Sequence, residues 1–110
     1  MREGALIRVP IVPASEISTD RGPARLASAL VTRVGGRLLA YANVCRHVPL
    51  TLDLGDGEVA ADDGEHFLCH HHGARYRVTD GVCVSGPGDG RALLPLGVEV
   101  SDGEFFIVLP

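Results

Sequence analysis

The sequence contains no lysine and no tryptophan, only one methionine, and few aromatic side chains, which make up 5% of its 110 residues. Its ten basic residues are all arginine and form no cluster, and fourteen acidic residues outnumber them, so the net charge is −4. A nucleic-acid-binding surface needs a basic stripe or patch, and this composition excludes it. The longest apolar runs are far shorter than the ~18 residues of a membrane-spanning helix. Arg8 interrupts the N-terminal apolar residues, so no signal region is expected, and the sequence predicts a cytoplasmic protein without membrane contact.

Regular helical periodicity is also missing, whereas glycine and proline are abundant, with fourteen and seven residues. Short apolar and β-branched runs are separated by turn residues, which predicts one all-β domain over residues 1–110, a small antiparallel β-sandwich or barrel. Two-residue turns with positive φ are expected at Gly35-Gly36, Asp80-Gly81 and Asp102-Gly103. A short helix is possible at residues 13–17. The predicted strands cover residues 6–12, 25–34, 37–43, 58–60, 66–68, 74–78, 82–84, 97–100 and 104–109.

Three cysteines are too few for a disulfide framework, but the sequence concentrates metal-ligand side chains in its middle. All five histidines lie within 26 residues, and two of the cysteines belong to the same part of the chain. The pattern is Cys45-x-His47, then 21 residues, then Cys69-x-x-His72 followed by Gly73. Two thiolates and two imidazoles could bind zinc tetrahedrally, or a two-iron cluster with cysteine on one iron and histidine on the other. The Cys-x-His spacing argues against structural zinc, whose paired cysteines are usually two to four residues apart.

This two-part motif continues as Ala74-Arg75-Tyr76, Asp80-Gly81 and Ser85-Gly86-Pro87, and it resembles the Rieske family of 2Fe–2S proteins. The resemblance covers residues 43–87 and implies that two loops hold one 2Fe–2S cluster in a subdomain of about residues 43–90. It implies that Cys45 and Cys69 bind one iron, that His47 and His72 bind the other, and that residues 85–88 form a proline-containing loop over the cluster. Because His71 would also complete a Cys-x-His pattern, Gly73 is the residue that favours His72 as the ligand.

The length and the disulfide-free motif resemble the soluble Rieske-type ferredoxins. In the respiratory-type proteins a further cysteine pair braces the loops, and here Leu50 and His71 stand at those positions. The resemblance implies a monomeric one-electron carrier, not an enzyme, that passes electrons from a reductase to an oxygenase. The alternatives are a small electron-transfer subunit of a larger reductase, of the nitrite reductase type, and a zinc-stabilised binding module without redox activity.

Several neighbouring residues carry further expectations. Cys83 lies in an apolar strand and is expected to be buried, His66 to be structural or exposed, and His70 and His71 to face solvent. The resemblance places Tyr76 where some family members hydrogen-bond a ligand sulfur, and a bond to the Cys45 sulfur would raise the potential. The alternative is a tyrosine of the apolar core. Ala74 stands where high-potential relatives have serine, so a potential low in the Rieske range of roughly −150 to +300 mV is expected.

The partner is expected to dock near His47 and His72. Six of the fourteen acidic residues lie between positions 53 and 65, as either a solvated loop or a patch that guides a partner. These acids are Asp53, Asp56, Glu58, Asp62, Asp63 and Glu65.

Overall fold

The computed structural model describes residues 1–19, 22–46, 50–87 and 90–109. Within these ranges it forms two antiparallel sheets. The strands are β1 (Leu6–Thr19), β2 (Gly22–Val34), β3 (Arg37–Ala42), β4 (His66–Leu68), β5 (Arg75–Arg77), β6 (Cys83–Ser85), β7 (Pro95–Ser101) and β8 (Glu104–Val108). A curled five-stranded sheet has the order β1-β2-β3-β7-β8, and a three-stranded sheet has the order β4-β5-β6. The predicted all-β fold, a small antiparallel sandwich or barrel, is confirmed, and the larger sheet curls into a half-barrel. No helix in the described ranges has the length and hydrophobicity needed to cross a membrane.

Two of the three predicted tight turns have the expected backbone. Gly35 and Gly36 join β2 to β3 with φ values of +60° and +78°, and Asp102 and Gly103 join β7 to β8 with φ values of +53° and +78°. Positive φ at both central residues matches the twist of paired strands. The prediction for Asp80-Gly81 is wrong in this respect, because only Gly81 has positive φ and the connection between β5 and β6 is five residues long.

Two local predictions are wrong. Residues 13–17 are not a helix, because they lie in β1, where Ser15 pairs with Leu26 and Ile17 with Ala24. The pairing register shifts between Pro10 and Ser15, so the β1–β2 ladder resumes beyond an irregularity. Residues 58–60 form no strand and make only a bridge between Ala60 and Phe67. In the first segment, long-range backbone pairing outweighs a weak local helix signal, and in the second a single bridge does not extend into a ladder.

The apolar core consists of two clusters. One lies against the five-stranded sheet and includes Leu26, Val31 and Leu96. The other includes Leu30 and Tyr41 from the large sheet, together with Phe67 and Tyr76 from the small one. The second cluster therefore joins the sheets, and it surrounds the two connections that carry the cysteine motif.

Candidate functional site

The two motif cysteines come from different connections and meet inside the second apolar cluster. Cys45 follows β3, and Cys69 follows β4, and the exposed fractions of these residues are 2% and 0%. The Cys45 side chain is hydrogen-bonded to the Cys69 thiol, and this contact, together with burial, raises the pKa of Cys69 well above its usual range. No disulfide joins the three cysteines, all of which lie in the described part of the chain. The structure thus brings two buried sulfur donors from two loops to one point.

The loop between β4 and β5 is closed by its own backbone. Gly73 N donates to Cys69 O at 2.8 Å, and Cys69 N donates to Ala74 O at 2.9 Å. Gly73 has a φ of +78°, a conformation that favours glycine at this position. The backbone N–H groups of His71 and His72 point to the Cys69 sulfur and oppose the rise in its pKa. This turn presents His72 at the surface while Cys69 stays buried.

The histidines of the motif separate into different environments. His72 is exposed, and its ring centroid lies 6.5 Å from that of exposed His71. His70 was expected to face solvent, but it is half-buried. Its backbone N–H donates to Leu52 O at 2.8 Å, and its ring Nε2 is buried without a hydrogen-bond partner. His66 is structural, as expected, with Nδ1 2.8 Å from Asp63 Oδ2. His47 lies outside the described residues, so its place as a ligand stays a prediction.

Tyr76 contacts the first cysteine from the small sheet. Its hydroxyl lies 3.4 Å from Cys45 Sγ and accepts the Arg46 backbone N–H at 3.0 Å. The expected contact between this tyrosine and the Cys45 sulfur is confirmed. Burial, followed by the Cys45 hydrogen bond, raises the pKa of Tyr76 well above its usual range. The hydroxyl therefore stays protonated at neutral pH and is available as a donor.

The proline-containing segment packs on the second cysteine loop. A Cβ on Gly86 would lie 2.9 Å from Ala74 Cα and 3.0 Å from Gly73 O, which is closer than a side chain tolerates. Buried Cys83 donates its thiol to Ser85 O at 3.2 Å and lies 3.7 Å from Pro87 O. Cys83 is a buried strand residue, as expected, and its thiol also fixes this segment. The part of the predicted covering loop at residues 88–89 lies outside the described residues.

The acidic segment is not a uniform solvated loop. Asp53 is 1% exposed and bonds to Arg8, whereas Asp62 and Asp63 pair with Arg75 at 2.9 and 3.5 Å. The segment also folds back on β4, since Leu68 N donates to Val59 O at 2.9 Å. Sequence reasoning missed the buried role of Asp53. The available signal was its position before two glycines, Gly55 and Gly57, which both adopt positive φ.

The chain matches a known family over most of its length. The family model described as "Rieske [2Fe-2S] domain" matches residues 8–102. No curated protein matches the sequence at a significant level.

Solved structures share the fold. One matched chain, from a complex of reduced oxygenase and oxidised ferredoxin in carbazole 1,9a-dioxygenase, is 27% identical, with a TM-score of 0.65 over 98% of this chain and 92% of its own. The terminal oxygenase of carbazole 1,9a-dioxygenase from Nocardioides aromaticivorans IC177 is 22% identical, with a TM-score of 0.65 over 99% of this chain and 27% of its own. The corresponding oxygenase from Novosphingobium sp. KA1 is 22% identical, with a TM-score of 0.66 and coverages of 99% and 27%. This chain thus spans most of the first matched chain but about a quarter of the two oxygenases, whose likeness shows the fold alone.

Proposed function

Because the chain belongs to the Rieske [2Fe-2S] domain family, we propose that it acts as the ferredoxin component of an oxygenase system and passes single electrons from a reductase to the oxygenase. The family match establishes one 2Fe–2S cluster and electron transfer, and it decides against zinc. The observation that carries the ferredoxin role is the match over 92% of a similarly sized chain from an oxygenase–ferredoxin complex. We further propose that residues 1–110 form one domain, with residues 43–90 as its cluster-binding part.

The described residues fit a Rieske-type cluster. Cys45 and Cys69 supply two sulfur donors within hydrogen-bonding reach of each other, and we propose that they bind one iron. We propose His72 for the other iron, together with His47, which lies outside the described residues. No three histidine, cysteine or acidic side chains converge among the described residues, and each iron of this cluster type takes only two protein ligands.

The protein surroundings divide the site into a buried side and an exposed side. When bound, the cluster accepts and releases one electron at a potential raised by its histidine ligands. The cysteine side is enclosed by the core, where the Tyr76 hydroxyl and the N–H groups of the second loop are directed at sulfur. His72 is exposed, so the histidine side is the short route between the cluster and solvent. We propose that redox partners dock over this side.

The surface next to the first cysteine loop has exposed apolar residues, with Leu50 50% exposed and Leu54 64% exposed. Large apolar side chains at the centre of a charged surface are typical of protein docking sites. The acidic segment offers a partner fewer free carboxylates than the six acids in its sequence suggest. Asp53 is buried, and Arg75 pairs with two of the other acids. The exposed acids Asp56 and Glu58 remain to attract a basic partner surface.

Ligand assignment is tested by EPR spectroscopy of the reduced protein. His72→Ala should abolish the signal of the mixed-ligand cluster, whereas the neighbouring His71→Ala should retain it. The two side chains are adjacent, exposed and chemically identical, so the comparison controls for loss of an imidazole from this loop. Loss of the signal in His71→Ala with retention in His72→Ala would reverse the assignment.

The carrier role is tested by electron transfer between purified proteins. The reduced protein should transfer one electron to an oxidised aromatic-ring oxygenase in stopped-flow absorbance measurements. The rate should fall as salt is raised, because the Debye length shortens from about 10 Å at 0.1 M to about 3 Å at 1 M. Asp56→Asn with Glu58→Gln should slow the reaction at low salt, and Glu99→Gln with Glu104→Gln, on the β7–β8 hairpin, should not. Electron transfer to a nitrite reductase component but to no oxygenase would contradict the proposal.

A further inference from the structure

A buried carboxylate lies where the first cysteine loop meets the large sheet. Asp53 Oδ2 accepts Arg8 Nη1 at 2.7 Å, Gly57 N at 3.0 Å and Gly55 N at 3.2 Å, and its Oδ1 accepts Asn43 Nδ2 at 3.1 Å. All four partners are donors, so the site is built for a carboxylate and not for an amide. Although burial raises the pKa of Asp53, the hydrogen bonds from Asn43 and Gly57 and the charge of Arg8 lower it further, below its usual value.

Asn43 connects Asp53 to strand β2 and to the first cysteine loop. Its Nδ2 also donates to Ser28 Oγ on β2 at 2.9 Å, and its Oδ1 accepts the Leu52 N–H at 2.9 Å. Asn43 is 1% exposed and precedes Cys45 by two residues. The amide therefore uses donor and acceptor together, and its orientation is fixed by the network.

Leu52 connects the same network to the second cysteine loop. Its carbonyl accepts the His70 N–H at 2.8 Å, and His70 directly follows Cys69. The first loop is also closed on itself, because Cys45 N donates to Leu50 O at 2.7 Å. A continuous set of hydrogen bonds thus runs from Asp53 through Asn43 and Leu52 to points within two residues of both cysteines.

No disulfide spans the two loops, since all three cysteines are reduced. Removing a carboxylate from water is costly unless it is paired and hydrogen-bonded, so a fully satisfied buried aspartate restricts its surroundings to one arrangement. Displacing either loop breaks a hydrogen bond of this network and leaves a buried donor without an acceptor. Every loop position other than the native one is therefore penalised.

We propose that Asp53 and Asn43 are positioning residues for the cluster, and that their network holds the loops of Cys45 and Cys69 at the separation needed to bind it. This inference rests on the proposed cysteine ligands. It assigns to a polar network the bracing that a disulfide would provide. Neither residue is proposed to contact the cluster.

The test uses the cluster-loaded protein and Asp53→Asn, which keeps the side-chain shape but turns an NH₂ group towards at least one donor. Release of iron to a chelator, followed by visible absorbance, should be at least about tenfold faster than in wild type, the lower end of the effect of losing an outer partner at a metal site. The EPR g-values of the reduced protein should also shift or broaden, because the loops sample more than one separation.

Two controls separate positioning from stability and from charge. Val31→Ala removes buried volume from the other apolar cluster, and it shows how much faster release becomes when the fold alone is weakened. Glu65→Gln removes an exposed carboxylate from the same acidic segment and should leave release and EPR unchanged. Release in Asp53→Asn no faster than in a Val31→Ala protein of equal thermal stability, with wild-type g-values, would overturn the proposal.

If Asp53→Asn does not fold, Arg8→Gln provides the second variant, because it leaves the carboxylate and its other three hydrogen bonds in place. Iron release from Arg8→Gln should then be measurably faster than from wild type, by less than tenfold. In Arg8→Lys the release rate should return towards the wild-type value. Wild-type release in Arg8→Gln would also overturn the proposal. A wild-type protein that holds no cluster would instead refute the proposed function, so the two failures are distinguishable.

Discussion

Replacing Tyr76 by phenylalanine should lower the reduction potential of the protein. The tyrosine is fully buried, and its hydroxyl lies 3.4 Å from Cys45 Sγ while accepting the Arg46 N–H at 3.0 Å. A hydroxyl that donates towards sulfur stabilises the more negative reduced state, so its removal favours the oxidised state. Because the hydroxyl also accepts a hydrogen bond, its donor strength is increased by polarisation. The variant removes one atom and leaves the aromatic packing in place.

The magnitude follows from the difference between the two redox states. A hydrogen bond to a charged group contributes about 1.5–3 kcal/mol. Only the part of this free energy that differs between the oxidised and reduced states moves the potential. A part of about one third gives a difference of about 0.5–1 kcal/mol. For a one-electron couple, about 59 mV corresponds to a tenfold change, or about 1.4 kcal/mol, so the expected fall is about 20–40 mV. The potential falls whatever part of the hydrogen-bond free energy depends on the redox state.

Protein-film voltammetry measures the shift, and Tyr41→Phe is its control. Tyr41 is buried in the same apolar cluster, but its hydroxyl donates to Val78 O at 2.9 Å and not to a cysteine. The control loses a buried hydroxyl of the same kind and should keep the wild-type potential. An unchanged potential in Tyr76→Phe, or an equal fall in both variants, would refute the assigned role of the Tyr76 hydroxyl.

Three further predictions concern the second loop and the acid range. Ala74→Ser should raise the potential by something on the order of tens of millivolts if the new hydroxyl reaches sulfur, and a fall measured by voltammetry would contradict this. Gly86→Ala should lower the free energy of unfolding by about 1–3 kcal/mol more than Gly90→Ala in urea titrations, because both have positive φ but only Gly86 faces backbone within 3.0 Å. Stability should fall as pH drops below about 4, the unfolded pKa of aspartate, because the lowered pKa of Asp53 means that the unfolded state binds more protons. This fall should be smaller in Asp53→Asn, and an identical acid transition measured by circular dichroism would exclude Asp53 as a contributor.

The parts of the fold that depend on neighbouring residues could be predicted from the sequence. Gly35-Gly36 and Asp102-Gly103 specify their turns because few other residues adopt positive φ, and alternating apolar residues identify the flanking strands. The segment at residues 13–17 could not be predicted in this way. Its conformation depends on pairing with the start of β2, which its own residues do not encode.

The candidate site shows the same division. The cysteine spacing predicts which thiols meet, and the family resemblance predicts the Tyr76 contact, because both are tied to a short motif. The signal at Asp53 was weaker, because the two glycines that follow it lie within a run of acids and its partner Arg8 is 45 residues away. The sequence likewise does not reveal that His70 is half-buried while adjacent His71 is exposed. Burial of a polar residue is decided by which distant donors the fold brings to it.

The position of Asp53 also explains how the large sheet supports both cysteine loops, of which only the Cys69 loop joins two strands of the small sheet. Arg8 and Ser28 lie on β1 and β2, and their hydrogen bonds fix the carboxylate of Asp53 and the amide of Asn43 to the large sheet. A disulfide would join the two loops only to each other. The polar network joins them to the sheet as well, so the loops are held in a fixed position relative to the whole domain. Because the network depends on an ionised carboxylate and a guanidinium and not on a covalent bond, this bracing is unaffected by the reductants that the protein meets as an electron carrier.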